Sequence, residues 1–140
     1  MDSNLKREII LENYKNPNNR GLNLDDSYIK INQNNDSCID NFDIQLKLEN
    51  NIIKDIRFDG EACAIATSSL SISIDVLIGK TKEEALDIIE NYENMIDGKD
   101  YDEEKLKDLV IYDDIQKQPA RVKCATLGIL GIKNILKSHM

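Results

Sequence analysis

Four side chains in this 140-residue sequence have the chemistry of a metal site: Cys38, Asp40, Cys63 and Cys124. Three thiolates and one carboxylate are a four-ligand set of the kind zinc accepts in tetrahedral sites. The chain contains no C-x-x-C pair, so only the fold can bring these groups together. Cys63 stands where a helix is expected to begin. Unpaired N–H groups and the positive end of the helix dipole there favour a thiolate. The alternative for each cysteine is a small buried hydrophobe, a common role for free cysteine. His139, the sole histidine, lies next to the end of the sequence and reads as frayed rather than as a ligand.

The elements that would position these residues follow from hydrophobic spacing. Phe42, Ile44, Leu46 and Leu48 alternate with Asp43, Gln45, Lys47 and Glu49, which marks a half-buried strand. Asn50-Asn51 then turns the chain, and residues 52–58 return as the second strand of a hairpin. The entry to the first strand and the exit of the second share one end, so Cys38 and Cys63 become neighbours. Asp40 falls on the side of Cys38 if the backbone between them is extended. An earlier strand is expected over 27–31, and the polar residues 32–37 as a loop. Asp59-Gly60 reads as a tight turn. Beyond it, small residues Ala64, Ala66, Thr67, Ser68 and Ser69 open a helix that buries Leu70, Ile74, Leu77 and Ile78.

Three more helical stretches complete the reading. Leu5, Ile9, Ile10 and Tyr14 give a short amphipathic helix, ended before Pro17. Thr81 and Glu84 form a capping box for a helix with Ala85, Leu86, Ile88, Ile89 and Tyr92 on its apolar face. Asp100 to Glu104 reads as a solvated acidic loop, followed by a short helical piece over 106–111. Pro119 breaks the pattern, and a last helix runs from Ala120 toward Lys137 with Cys124 in its first turns. Gly128 and Gly131 lower that helix's propensity, so close packing is the expected reason for them. Helix, strands, then helices specify an α+β domain, a small antiparallel sheet of about three strands covered by helices. The whole of 1–140 is expected to be one domain.

Composition narrows the partners. With 18 basic and 26 acidic residues the net charge is −8, which disfavours binding to nucleic acid and favours basic protein partners. No apolar run is long enough for a bilayer and no secretory signal opens the sequence. Three cysteines, an odd number, argue for a reducing cytoplasm and against a disulfide framework.

Four motifs in order carry a resemblance over nearly the whole chain. They are Tyr14-Lys15-Asn16-Pro17-Asn18-Asn19-Arg20-Gly21, Ser37-Cys38-Ile39-Asp40, Gly60-Glu61-Ala62-Cys63-Ala64-Ile65, and Pro119-Ala120-Arg121-Val122-Lys123-Cys124-Ala125-Thr126-Leu127. Together they resemble the SufU-type proteins of the IscU/NifU-like superfamily of iron–sulfur cluster assembly. The resemblance implies the SufE/NifU (IscU-like) fold, with Cys38, Asp40, Cys63 and Cys124 as metal ligands at one end. It implies a sulfurtransferase-like activity in which a cysteine desulfurase passes persulfide sulfur to Cys38, with zinc as the bound metal. Downstream cluster assembly proteins are further expected partners. Two features point to the zinc-binding branch rather than the cluster-scaffold branch. Lys123 stands where scaffolds typically carry histidine, and residues 97–112 look like the extra segment of the sulfur-transferring branch. Ile39 stands where the family usually has glycine. Arg121 and Lys123 either support thiolate charge and meet an acidic partner or simply start a helix facing solvent. The competing readings are an iron–sulfur cluster scaffold on the same cysteines, and a zinc-stabilised interaction domain without sulfur chemistry.

Overall fold

An apolar stripe at every second residue needs a cover, and the central strand finds one. The computed structural model describes residues 1–36 and 38–138. Among them the order is α1 (Ser3–Lys15), β1 (Ile29–Asn34), β2 (Asn41–Glu49), β3 (Ile52–Glu61), α2 (Ala64–Leu77), α3 (Lys82–Ile96) and α4 (Glu103–Leu106). Two 3₁₀ turns (Lys107–Tyr112 and Ile115–Lys117) and α5 (Pro119–Ser138) follow. The strands form one antiparallel sheet in the order β1-β2-β3. Asn50 and Asn51 both take positive φ, 53° and 65°, as a tight hairpin turn requires. This is the α+β architecture that the element order specifies.

Helices α2 and α5 pack against each other and cover one face of the sheet. Phe42, Ile44, Leu46, Ile56 and Phe58 are fully buried on that face, with Phe42 and Phe58 edge to face at 5.6 Å. Leu70, Ile74 and Leu77 of α2 are fully buried as well, each contributing roughly 1.5–3 kcal/mol of transfer free energy. The small residues of α2 serve close packing. Ser69 and Ser73 are buried and donate to the Ala66 and Ser69 carbonyls. The sheet's other face is partly covered too, because Gln45 exchanges two 2.7 Å hydrogen bonds with the backbone of Asn23. Helix α1 lies on α2. The Asn-Pro-Asn-Asn-Arg-Gly run behind it is pinned through Asn18 to Ser71 and through Arg20 to the Gly60 carbonyl.

Some expectations are corrected. Asp59-Gly60 is not a turn: β3 runs straight through it to Glu61, with Gly60 opposite Phe42. The glycine is there for close approach, since a Cβ on it would lie 2.1 Å from the Asn41 carbonyl oxygen. The first strand is also displaced, covering 29–34 instead of 27–31. Asn32 and Asn34 belong to the ladder because their amides hydrogen-bond on its exposed side, Asn32 to Asn41 and Asp43 and Asn34 to Asn32. The apolar face expected of α1 is only partly covered, since Leu5 and Tyr14 are 45% and 44% exposed, and Ile78 caps α2 half-buried instead of lying in its core. The Thr81–Glu84 capping box is formed in both directions. Asp100, Asp102, Glu103 and Glu104 are exposed, and residues 103–112 fold into α4 and a 3₁₀ turn that bury Leu106, Leu109, Ile111 and Tyr112. Pro119 is the first residue of α5, where its missing N–H costs nothing. Among the described residues no helix is long and apolar enough to cross a membrane.

Candidate metal centre

The loop between β1 and β2 is closed by its own backbone. Asn35 N–H donates to the Asp40 carbonyl, and Cys38 N–H donates to the Asn35 carbonyl, both at 3.0 Å. This brings Cys38 and Asp40 to the end of the sheet where β3 delivers Cys63. Cys63 is the N-cap of α2, with extended backbone and a thiol sulfur 3.4 Å from the Ala66 N–H. Asp40, only 1% exposed, joins the two segments: its Oδ1 accepts the Cys63 N–H at 2.8 Å.

Cys124 comes from the second turn of α5, and glycine makes its approach possible. A Cβ on Gly128 would lie 2.7 Å from Leu70 of α2, and one on Gly131 would lie 2.6 Å from Gln33 and 2.9 Å from Ile44. Gln33 also donates to the Leu127 carbonyl at 2.9 Å, fastening α5 to β1. The four sequence-identified groups therefore meet. One ligand atom from each of Cys38, Asp40, Cys63 and Cys124 lies within 4.8 Å of all the others. The Cys38 sulfur is 3.6 Å from Asp40 Oδ1, and the Cys63 sulfur is 3.9 Å from Asp40 Oδ2.

Charge is balanced around the carboxylate. Burial pushes Asp40 toward its neutral form, but the Cys63 N–H and the thiols of Cys124, Cys63 and Cys38 outweigh it and hold its pKa below the usual value. Burial, reinforced by Asp40 and Cys63, pushes the Cys124 thiol up to about 12. Without a cation this pocket keeps Cys124 protonated beside an ionised Asp40. A dication would reverse that preference, because thiol ligands bind as thiolates.

The donor set and its spacing fit zinc. Two sulfurs at about 2.3 Å from a tetrahedral ion stand about 3.8 Å apart, so the observed separations need to close by about an ångström at most. Ile39 does not prevent this. It is not among the residues with positive φ, and its side chain points outward, 70% exposed. The thiols form a gradient of access, with Cys38 exposed, Cys63 intermediate and Cys124 buried. Arg121 and Lys123 are exposed on α5. Ser37 and His139 lie outside the described residues. Asn35 was missed by sequence reasoning: it is buried and closes the ligand loop, yet nothing distinguishes it within the polar run 32–37.

Comparison with known proteins places this arrangement in context. A family model described as the NifU-like N terminal domain matches residues 5–125. The chain is 39% identical over 125 residues to the zinc-dependent sulfurtransferase SufU of Bacillus subtilis (strain 168), across 89% of this chain and 84% of that protein. It is 38% identical over 130 residues to the iron-sulfur cluster assembly scaffold protein IscU of Thermotoga maritima, across 93% and 91%. A crystal structure of a putative iron-sulfur cluster assembly scaffold protein for the SUF system, from Fervidobacterium islandicum AW-1, superposes with a TM-score of 0.84 at 31% identity. That match covers 92% of this chain and 94% of the other.

Proposed function

The chain belongs to the NifU-like N-terminal domain family, the IscU and SufU iron–sulfur cluster assembly proteins, and we propose that within it the chain is a zinc-dependent sulfur acceptor. The observation that carries this reading is the gathered set of Cys38, Asp40, Cys63 and Cys124 with one exposed thiol. The donor would be a cysteine desulfurase. Bound zinc supplies a redox-inert charge that holds its thiol ligands deprotonated at neutral pH. Cys63 and Cys124 are fixed by α2 and α5, whereas Cys38 sits on a surface loop, where opening costs least. Cys38 is therefore the residue free to leave the cluster and act as nucleophile.

The step is a thiol–persulfide exchange. The Cys38 thiolate attacks the terminal sulfur of the donor's cysteine persulfide. A new S–S bond forms on Cys38, the donor's S–S bond breaks, and the donor cysteine leaves as a thiolate. The terminal sulfur keeps its proton, and no electrons are gained or lost overall. Lys123 in place of the scaffold branch's histidine, and the folded segment 97–112, support this branch. A second reading, a scaffold that assembles a cluster on the same cysteines, is favoured by the 38% identity to the Thermotoga scaffold protein.

Purification without oxygen separates the two. The proposal expects colourless protein with one zinc per chain; brown protein carrying iron and sulfide would replace it with the scaffold reading. Incubation with a cysteine desulfurase and cysteine, followed by mass spectrometry, should show the added sulfur on Cys38. Cys38→Ser should abolish the protein's stimulation of the desulfurase. A persulfide on Cys124 and never on Cys38 would overturn the assignment.

A further inference from the structure

Two buried tyrosines connect the helices that carry Cys63 and Cys124, although neither tyrosine comes from those helices. Tyr92 of α3 is fully buried, and Tyr112, the last residue of the first 3₁₀ turn, is 1% exposed. Their rings meet edge to face at 6.4 Å and 85°. The Tyr92 hydroxyl donates to the Ala125 carbonyl at 2.7 Å, one residue after Cys124. The Tyr112 hydroxyl is 2.5 Å from Ser68 Oγ. Ser68 Oγ lies 3.2 Å from the Ile65 carbonyl as its donor, which leaves Tyr112 to donate to Ser68. Ile65 lies in the first turn of α2, two residues past Cys63. A continuous path therefore runs from the turn bearing Cys63, through Ser68, Tyr112 and Tyr92, to the turn bearing Cys124.

Neither helix needs these bonds for its own sake. Ser68 already has the Ile65 carbonyl, and the Ala125 carbonyl offers a second lone pair beyond its helical bond. The two bonds tie α2 and α5 to one pair of packed rings. We propose that Tyr92 and Tyr112 are positioning residues for the metal centre, setting the separation of Cys63 and Cys124 at which the ion is held. The proposal rests on the zinc reading above. It also gives the segment 97–112 a task, since that segment ends on Tyr112 and delivers its phenol to α2.

The test uses full-length Tyr92→Phe, Tyr112→Phe and the double variant, with zinc affinity read by competition against a chromophoric chelator. The visible spectrum of the cobalt-loaded protein gives a second readout. Both phenylalanine variants keep the ring contact and leave Ser68 and Ala125 with a partner, so folding is retained. Each single variant should bind zinc about tenfold more weakly, the low end for residues that orient metal ligands, and should shift the cobalt spectrum. The double variant should lose less than the product of the two, because both bonds belong to one bridge. Ser68→Ala removes the Tyr112 bond from the other side and should weaken zinc binding in the same way. Thr81→Ala, which removes only the α3 cap, should lower the melting temperature without changing zinc affinity. Parent affinity and a parent cobalt spectrum in the phenylalanine variants, whatever their melting temperatures, would overturn this inference alone. A parent protein that binds neither zinc nor cobalt would overturn the zinc reading as well.

Discussion

Gly60→Ala tests how the end of β3 sets the position of Cys63. Gly60 has φ +133°, a conformation that side chains rarely adopt. An added Cβ would meet the Asn41 carbonyl oxygen at 2.1 Å, and Asn41 C and Phe42 Cα at 3.1 Å. All three are backbone atoms of the paired strand, so no side chain can swing aside. The strands must part or the backbone must rotate. Overpacking of this kind costs roughly 1–3 kcal/mol, and forcing a non-glycine residue to hold such a φ costs about as much again. The sum, about 2–6 kcal/mol, is a large share of a typical domain's stability. For a chain of this size it lowers the melting temperature by about 7–20 °C. Gly98→Ala is the matched control: its φ is +75°, but a Cβ there meets nothing within 4 Å, so only the strain term applies. Circular dichroism melts of metal-free protein should rank the parent above Gly98→Ala, and Gly98→Ala well above Gly60→Ala. Because Cys63 lies three residues past Gly60, zinc affinity should fall too. A Gly60→Ala variant that melts with the Gly98→Ala control would refute the collision argument.

Two further outcomes follow from the same structure. Removing zinc should lower the melting temperature, since the site ties the loop before β2 to the starts of α2 and α5; at a hundredfold excess of free zinc over Kd the lost stabilisation is about 2.7 kcal/mol. Unchanged melting, with metal loss verified by elemental analysis, would show that the site does not fasten these elements. Burial, and then the hydrogen bond to the Asp55 carboxylate, push the Tyr28 phenol up to about 12 from its ordinary value of 10.0. Its contribution to stability is complete below pH 10 and is lost as pH rises toward 12, because the unfolded chain releases that proton first. Urea unfolding across pH 9–12 should show a shallower decline for Tyr28→Phe than for the parent, and parallel declines would contradict this.

The fold was readable where local pattern and tertiary need coincide. Phe42, Ile44 and Leu46 alternate and face the helices, and Thr81 with Glu84 forms the capping box its spacing specifies. It was misread where one residue type serves two physical purposes. Glycine after aspartate permits a turn, and it equally permits the close strand approach that Gly60 makes to Asn41. Which use applies depends on Asn41, 19 positions away in the sequence and brought close only by the folded sheet. Asn32 and Asn34 read as loop for a similar reason, since Asn32 serves the edge strand through amide bonds across to Asn41 and Asp43, with Asn34 bonded to Asn32, and no local pattern displays these.

The site divides along the same line. The ligand types and the hairpin that pairs Cys38 with Cys63 could be read from the chain, because both follow from short-range order. The depth of each thiol could not. Cys124 is buried because α5 lies almost in contact with α2 and the sheet, and Gly128 and Gly131 are what allow that distance. A cysteine on a helix held further out would be an exposed thiol like Cys38, and the two would compete as nucleophiles. The glycines thus separate the roles. They sink one thiol among the helices and leave another at the surface, the placement that the proposed sulfur transfer requires. On the proposed function, that asymmetry, rather than the presence of three cysteines, is what would suit the centre to accepting sulfur.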